Sequence, residues 1–217
     1  MARRPPWLDE NCLEFPDPET ALTEPNGLLA IGGDLSPERL LIAYQQGIFP
    51  WYSDGEPILW WSPDPRLVIF PGQLHISRRL RKTLSQQTFS FTHNHAFADV
   101  VRACSEPRAK QSGTWITAEM QQAYIQLHQR GFAHSMECWQ NNALVGGIYG
   151  VVLGKCFFGE SMFSRVSDAS KAVMVELDNF LQTNGFILLD CQVSSAHLLS
   201  MGAIEISRQE FLRTIRL

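Results

Sequence analysis

Apolar positions change spacing along the chain, and the changes mark out its elements. Residues 1 to about 26 carry Pro, Asp, Glu and Asn without a period, which predicts an irregular lead-in. Ser36-Pro37-Glu38 reads as a helix start with proline at the first helical position; Leu40, Leu41, Ala43 and Tyr44 follow and Gly47 ends it. From Phe49 to Pro65, prolines and tryptophans crowd together, which excludes long regular elements and predicts a rigid loop assembly. Beyond Arg66 the pattern turns α/β. Strands are predicted at 67–70 and 89–92, and helices at 75–82, 97–104 and 118–130. Thr117 caps the last of these, and Met120, Tyr124 and Leu127 form its core stripe.

The C-terminal half is more regular. Residues 133–139 and 143–152 form a predicted hairpin turning at Asn141-Asn142, and 155–163 is the next strand. A helix starts near Asp168 with Val173, Leu177 and Leu181 on one face and ends before Gly185. A strand at 186–193, a short helix at 195–199 and a strand at 203–207 complete the expected chain. An antiparallel meander followed by helix, strand, helix and strand is the order of GNAT-type acyltransferase folds, so the expected class is α+β.

Composition narrows the setting. With 45% hydrophobic residues the chain can bury a real core, as one large domain or a small and a medium one. Its 18 basic and 22 acidic side chains give a formal charge of −4, which argues against bulk capture of nucleic acid but not against a local basic patch. Met-Ala-Arg-Arg-Pro-Pro has no apolar run behind it, so no signal peptide is expected. The longest apolar run, 144–158, is too short to span a bilayer and contains Lys155. Five scattered cysteines, with no CxxC pair, fit free thiols in a reducing cytoplasm.

Candidate chemistry gathers between Phe157 and Gln192. Two apolar runs each carry a carboxylate, Glu160 and Asp190, and Gln192 lies two residues beyond Asp190, on the same strand face. A buried carboxylate beside an amide is costly unless partnered or used, so these residues read as a site or as a satisfied structural network. His134 and Glu137 lie on opposite faces of a strand and cannot form a dyad. Trp51, between Phe-Pro and a polar turn, is a candidate platform for a stacked base, whereas Trp60 and Trp61 read as core. Arg78, Arg79, Arg81 and Lys82 read either as a solvated helix face or as a phosphate contact. Arg165, Ser167, Ser170 and Lys171 could help a helix N-terminus hold an anion. A CoA pyrophosphate would meet Asp168 there as a like charge, and the segment has one glycine only. No Walker loop, His-rich metal set or Gly-x-Ser-x-Gly elbow is present, so neither a metal ion nor a cofactor is expected.

Six strings carry a closer likeness: Glu24-Pro-Asn-Gly-Leu-Leu-Ala-Ile-Gly-Gly-Asp-Leu-Ser-Pro, Gly47-Ile-Phe-Pro-Trp, Leu59-Trp-Trp-Ser-Pro-Asp-Pro-Arg, Gly113-Thr-Trp-Ile-Thr, Phe158-Gly-Glu-Ser-Met-Phe-Ser and Asp190-Cys-Gln-Val. Over nearly its whole length the chain resembles the leucyl/phenylalanyl-tRNA–protein transferases of the bacterial N-degron pathway. The resemblance implies a small N-terminal domain, 1–62, packed on a GNAT-like domain, 63–217, whose mixed, mostly antiparallel sheet has helices on both faces. It implies transfer of Leu or Phe, less readily Met, from aminoacyl-tRNA to the α-amine of proteins beginning with Arg or Lys. By motif, Asp190 would hold and deprotonate the reacting amine, directly or through Gln192, and Glu160 would anchor the aminoacyl ammonium. Trp51 and Trp115 would sandwich the terminal adenine. An apolar donor pocket would be floored by the 146–150 strand and the 173–177 helix face, where Ile148 and Leu177 stand in place of the family's Met and Phe. The tRNA body would meet Arg78, Arg79, Arg81, Lys82, Arg165 and Lys171. Two other readings compete: an acetyl-CoA-dependent N-acetyltransferase, and a non-catalytic module that binds the tRNA 3′ end.

Overall fold

A computed structural model describes residues 4–106 and 116–216. The lead-in contributes a two-residue strand, β1 (Trp7–Leu8), before β2 (Leu28–Gly32), helix α1 (Pro37–Gln45), β3 (Phe49–Pro50) and β4 (Leu59–Trp61). Ser36 caps α1 as expected: its side chain accepts from the Arg39 amide. The proline-tryptophan stretch is more regular than a loop assembly, because β3 and β4 pair antiparallel and complete a four-stranded sheet in the order β1-β2-β4-β3. Trp60 is buried there, its indole N–H donating to Gly32 O at 2.8 Å.

A second sheet begins with β5 (Arg66–Ile69). After it come α2 (Arg78–Ser85), β6 (Ser90–His93), α3 (Phe97–Ser105), α4 (Ala118–Gln129), β7 (Ala133–Gln140), β8 (Ala143–Leu153) and β9 (Cys156–Ser164). The chain then runs through α5 (Ala169–Thr183), β10 (Leu188–Gln192), α6 (Ala196–Ser200), β11 (Ile204–Ile206) and α7 (Arg208–Ile215). Strand order is β11-β5-β10-β9-β8-β7-β6. The pair β9–β10, joined through α5, is parallel, and the other neighbours are antiparallel, so the fold is the expected α+β with a mixed sheet.

Both faces are covered. Gly146 and Gly147 point to opposite sides; a Cβ on the first would meet Ala169 of α5, and on the second Val100 of α3. One face packs Val173, Met174, Leu177 and Leu181 of α5 on Leu67, Ile69, Ile148 and Leu189. The other packs α3 and α4 on Tyr149, Val151 and Phe158, and its cluster continues into Leu29, Tyr44 and Trp60 of the N-terminal part and Phe211 of α7. The two sheets therefore share one core.

Two expectations change. The chain does not finish on a strand at 203–207: α7 follows, with the Ser207 hydroxyl accepting from the Glu210 amide, so Ser207-x-x-Glu210 matches the sequence of a capping box. Asp168 does precede α5, but in the left-handed region (φ 66°) and with no capping bond from its side chain. Its carboxylate accepts from Thr83 Oγ1 and lies 3.9 Å from both Arg79 Nε and Lys171 Nζ.

Candidate active site

The site begins with an irregularity in β9. Gly150 of β8 pairs with Gly159 while Tyr149 pairs with Ser161, which leaves Glu160 as the extra residue of a bulge. The bulge needs Gly150, because a Cβ there would stand 2.2 Å from Phe158 O. It also turns the alternation of side chains over, so Phe158 and Phe163, five residues apart, join the same cluster. Past Phe158 the parallel partner β10 no longer pairs with β9, and a cavity opens between the two strands.

Glu160, 7% exposed, sits at that opening among hydrogen-bond donors. The Tyr124 hydroxyl donates to Oε2 at 2.6 Å and the Gln192 amide Nε2 to Oε1 at 2.9 Å; the Tyr44 and Tyr124 hydroxyls lie 2.6 Å apart. Burial pushes the Glu160 carboxyl up to about 7, and the hydrogen bonds restrain the rise. The same burial and the neighbouring Glu160 carboxylate push both phenols well above their ordinary range, so they remain donors. Gln192 is held in a left-handed conformation (φ 63°) just past a register shift in β10, and its backbone N–H donates to Asp190 Oδ1 at 2.9 Å.

Asp190 has a partner that the sequence reading does not name. It is fully buried in a two-pronged ion pair, with Arg66 Nε to Oδ1 at 2.8 Å and Nη2 to Oδ2 at 2.6 Å. The guanidinium lies between the rings of Phe49 and Phe211, 4.7 and 4.5 Å from their centroids. Both oxygens are thus engaged, by Arg66 and by the Gln192 backbone amide. Sequence reasoning missed Arg66, Tyr44 and Tyr124. A signal for Arg66 was present: a cation opening an apolar strand requires a buried counter-charge, and Asp190 was the carboxylate in the other apolar run.

The cavity measures about 380 Å³. Ile148, Met162, Met174, Leu189 and Leu198 are its apolar lining, and Glu160, Gln192, Ser195 and His197 are among its polar residues. Trp51, 41% exposed, stands in its wall, 5.9 Å from the Trp61 ring. The structure thus brings Glu160, Asp190, Gln192, Trp51 and Ile148 together. Leu177 is not with them: it lies one turn beyond Met174 and lines a separate recess beside His93, His134 and Phe180, so Met174 and not Leu177 lines this cavity. Trp115 lies outside the described residues.

The comparisons with known proteins meet this geometry. The family model described as leucyl/phenylalanyl-tRNA protein transferase matches residues 68–216, and the model of that family's N-terminal domain matches residues 33–64. A leucyl/phenylalanyl-tRNA–protein transferase from Cellvibrio japonicus is 59% identical over 97% of this chain and 89% of its own. The chain belongs to this family. A second relative of that name, from Pseudomonas aeruginosa, is 58% identical over 94% of this chain and 91% of its own. Among solved structures, a GCN5-related N-acetyltransferase from Kribbella flavida aligns with a TM-score of 0.40 at 8% identity, over 77% of this chain and 60% of that one.

In this leucyl/phenylalanyl-tRNA–protein transferase family member the candidate phosphate contacts divide into two groups. Arg165 donates to Glu106 at 2.7 Å, and Arg79 and Lys171 face Asp168. Arg78, Arg81 and Lys82 are exposed on α2 with no carboxylate within 4.0 Å among the described residues. No helix among the described residues is long and apolar enough to cross a membrane, and none of their His, Cys, Asp and Glu side chains cluster to hold a metal ion.

Proposed function

We propose that the cavity between β9 and β10 receives the aminoacyl end of a charged tRNA and presents its ester to the α-amine of a protein. The observation that carries this reading is the mixed lining: apolar side chains together with the hydrogen-bonded pair Glu160 and Gln192. The donor is Leu or Phe, and less readily Met, and the acceptor is a protein beginning with Arg or Lys in the cytoplasm. Hydrophobic walls discriminate by about 1–3 kcal/mol per methylene, so preference among the three donors is graded.

Each residue has a physical task. Ile148, Met174, Met162 and Leu189 surround the donor side chain. Glu160 holds the donor ammonium, a charge that compensates the burial that lifts its carboxyl to about 7. Trp51 stacks on the terminal adenine, with Trp115 as its expected counterpart; such stacking is sequence-tolerant and suits an end common to all tRNAs. Asp190, held by Arg66, fixes the backbone of Gln192 so that its amide points at Glu160. Arg78, Arg81 and Lys82, with Arg79, Arg165 and Lys171 nearer carboxylates, guide the tRNA phosphates. Residues 1–62 and 63–217 are taken as the two domains, the first supplying Tyr44, Phe49 and Trp51.

An aminoacyl ester is already activated, so aminolysis runs downhill without ATP or metal; alignment and a proton acceptor are what it needs. The test is transfer of radiolabelled Leu from Leu-tRNA to a protein with N-terminal Arg, scored in acid-precipitable material after RNase. Label in the protein is expected, and its absence rejects the reading.

A further inference from the structure

Among the described residues, the cavity holds four titratable side chains, Glu160, Asp190, Cys191 and His197, and three of them are unsuited to receive a proton from the attacking amine. Asp190 is fully buried, with Arg66 and the Gln192 amide on its oxygens. Both oxygens of Glu160 accept hydrogen bonds and face the donor ammonium in the reading above. Burial pushes the Cys191 thiol far above its ordinary range, so it keeps its own proton. His197 differs on every count: it lies on α6 in the cavity wall, it is exposed, and its ring makes no hydrogen bond among the described residues.

We propose that His197 is a catalytic residue of the transfer, taking the proton of the acceptor amine and returning it to the ribose oxygen that leaves. The inference rests on the reading of the cavity as an aminoacyl-transfer site. As the amine nitrogen bonds to the ester carbonyl carbon, one N–H proton passes to the imidazole. The carbon–oxygen ester bond then breaks, its electron pair goes to the ribose oxygen, and the imidazolium protonates that oxygen. The products are an amide and a tRNA hydroxyl, and the imidazole is restored. Partial burial and the Lys171 ammonium of α5 hold the ring below its ordinary range, so near pH 7 it is neutral with a free lone pair. The other ionisable groups that line the cavity with it, among the described residues, are Glu160 on β9 and Asp190 and Cys191 on β10.

The full chain carrying His197→Ala or His197→Gln tests this with Phe-tRNA and a peptide beginning with Arg, both at saturation. Positioned general acid–base groups contribute about 10²–10⁴-fold, so kcat in both variants should fall by about 100-fold or more. Affinity for a non-hydrolysable phenylalanyl-adenosine amide should stay within about twofold of the parent, and added imidazole should restore the alanine variant by about fivefold or more while leaving the parent unchanged. A kcat within about threefold of the parent in both variants, or a loss that imidazole leaves untouched, overturns the assignment. Failure of the parent itself to transfer label rejects the functional reading instead, so the two failures are distinguishable.

Discussion

Replacing Glu160 with glutamine isolates what a buried carboxylate does to this fold. Burial lifts its carboxyl from 4.5 to about 7 in the folded chain. Between those values the folded state keeps a proton that the unfolded state has released, so stability falls as pH rises through the window. At about 1.4 kcal/mol per pH unit, that gap corresponds to about 3 kcal/mol lost by pH 8. Glutamine stands in for the protonated acid. Its carbonyl can accept from Tyr124 and its amide can donate to Gln192 once that side chain turns over, and it carries no charge to desolvate. Urea denaturation of both proteins, followed by tryptophan fluorescence from pH 4.5 to 8, measures the difference. Glu160→Gln should gain on the parent steadily through the window, by about 3 kcal/mol in total, while losing affinity for an aminoacyl-adenosine amide. A difference that is flat with pH, or one that favours the parent as pH rises, refutes the reasoning.

Arg66→Met leaves Asp190 buried without its counter-charge and should cost about 3–5 kcal/mol in the same denaturation, and a loss below about 1 kcal/mol would mean the pair is dispensable. Trp51→Ala should weaken adenosine-analogue binding by about 1–3 kcal/mol in calorimetry without moving the urea midpoint; equal affinity removes the stacking role. Changing Arg78, Arg81 and Lys82 together to Gln should lower the log–log salt slope of whole-tRNA binding by about 2–3 and leave the analogue untouched, whereas an unaltered slope takes α2 out of the tRNA path.

Much of the fold follows from short-range patterns. The Ser36-Pro37 helix start, the Thr117 cap and the hairpin at Asn141-Asn142 are local events decided by neighbours in sequence, and each is found where the sequence predicts it. The final helix is equally local: Ser207-x-x-Glu210 is a start signal, set directly behind the strand pattern at 203–207. What periodicity could not give was parity across a bulge. An alternation counted from Phe158 puts Phe163 on the wrong face, because nothing in the string marks Glu160 as unpaired. The site's companions were hidden for another reason. Tyr44 and Tyr124 sit on helix stripes where an apolar reading is complete without their hydroxyls, and only tertiary packing brings them within reach of Glu160. Leu177 and Met174 share a helix face one turn apart, and the splay between β9 and β10 decides which of them meets the cavity.

The guanidinium held between Phe49 and Phe211 makes the polypeptide indivisible in a practical sense. Severing it near residue 62 would yield a piece retaining all seven strands of the larger sheet, yet one side of Arg66 would open to water and the relay at Glu160 would end one phenol early. Shortening the far terminus past Phe211 would strip the opposite side. An excised acyltransferase half is therefore a poor starting point for engineering, and co-expressing the missing segment in trans is the remedy this arrangement recommends.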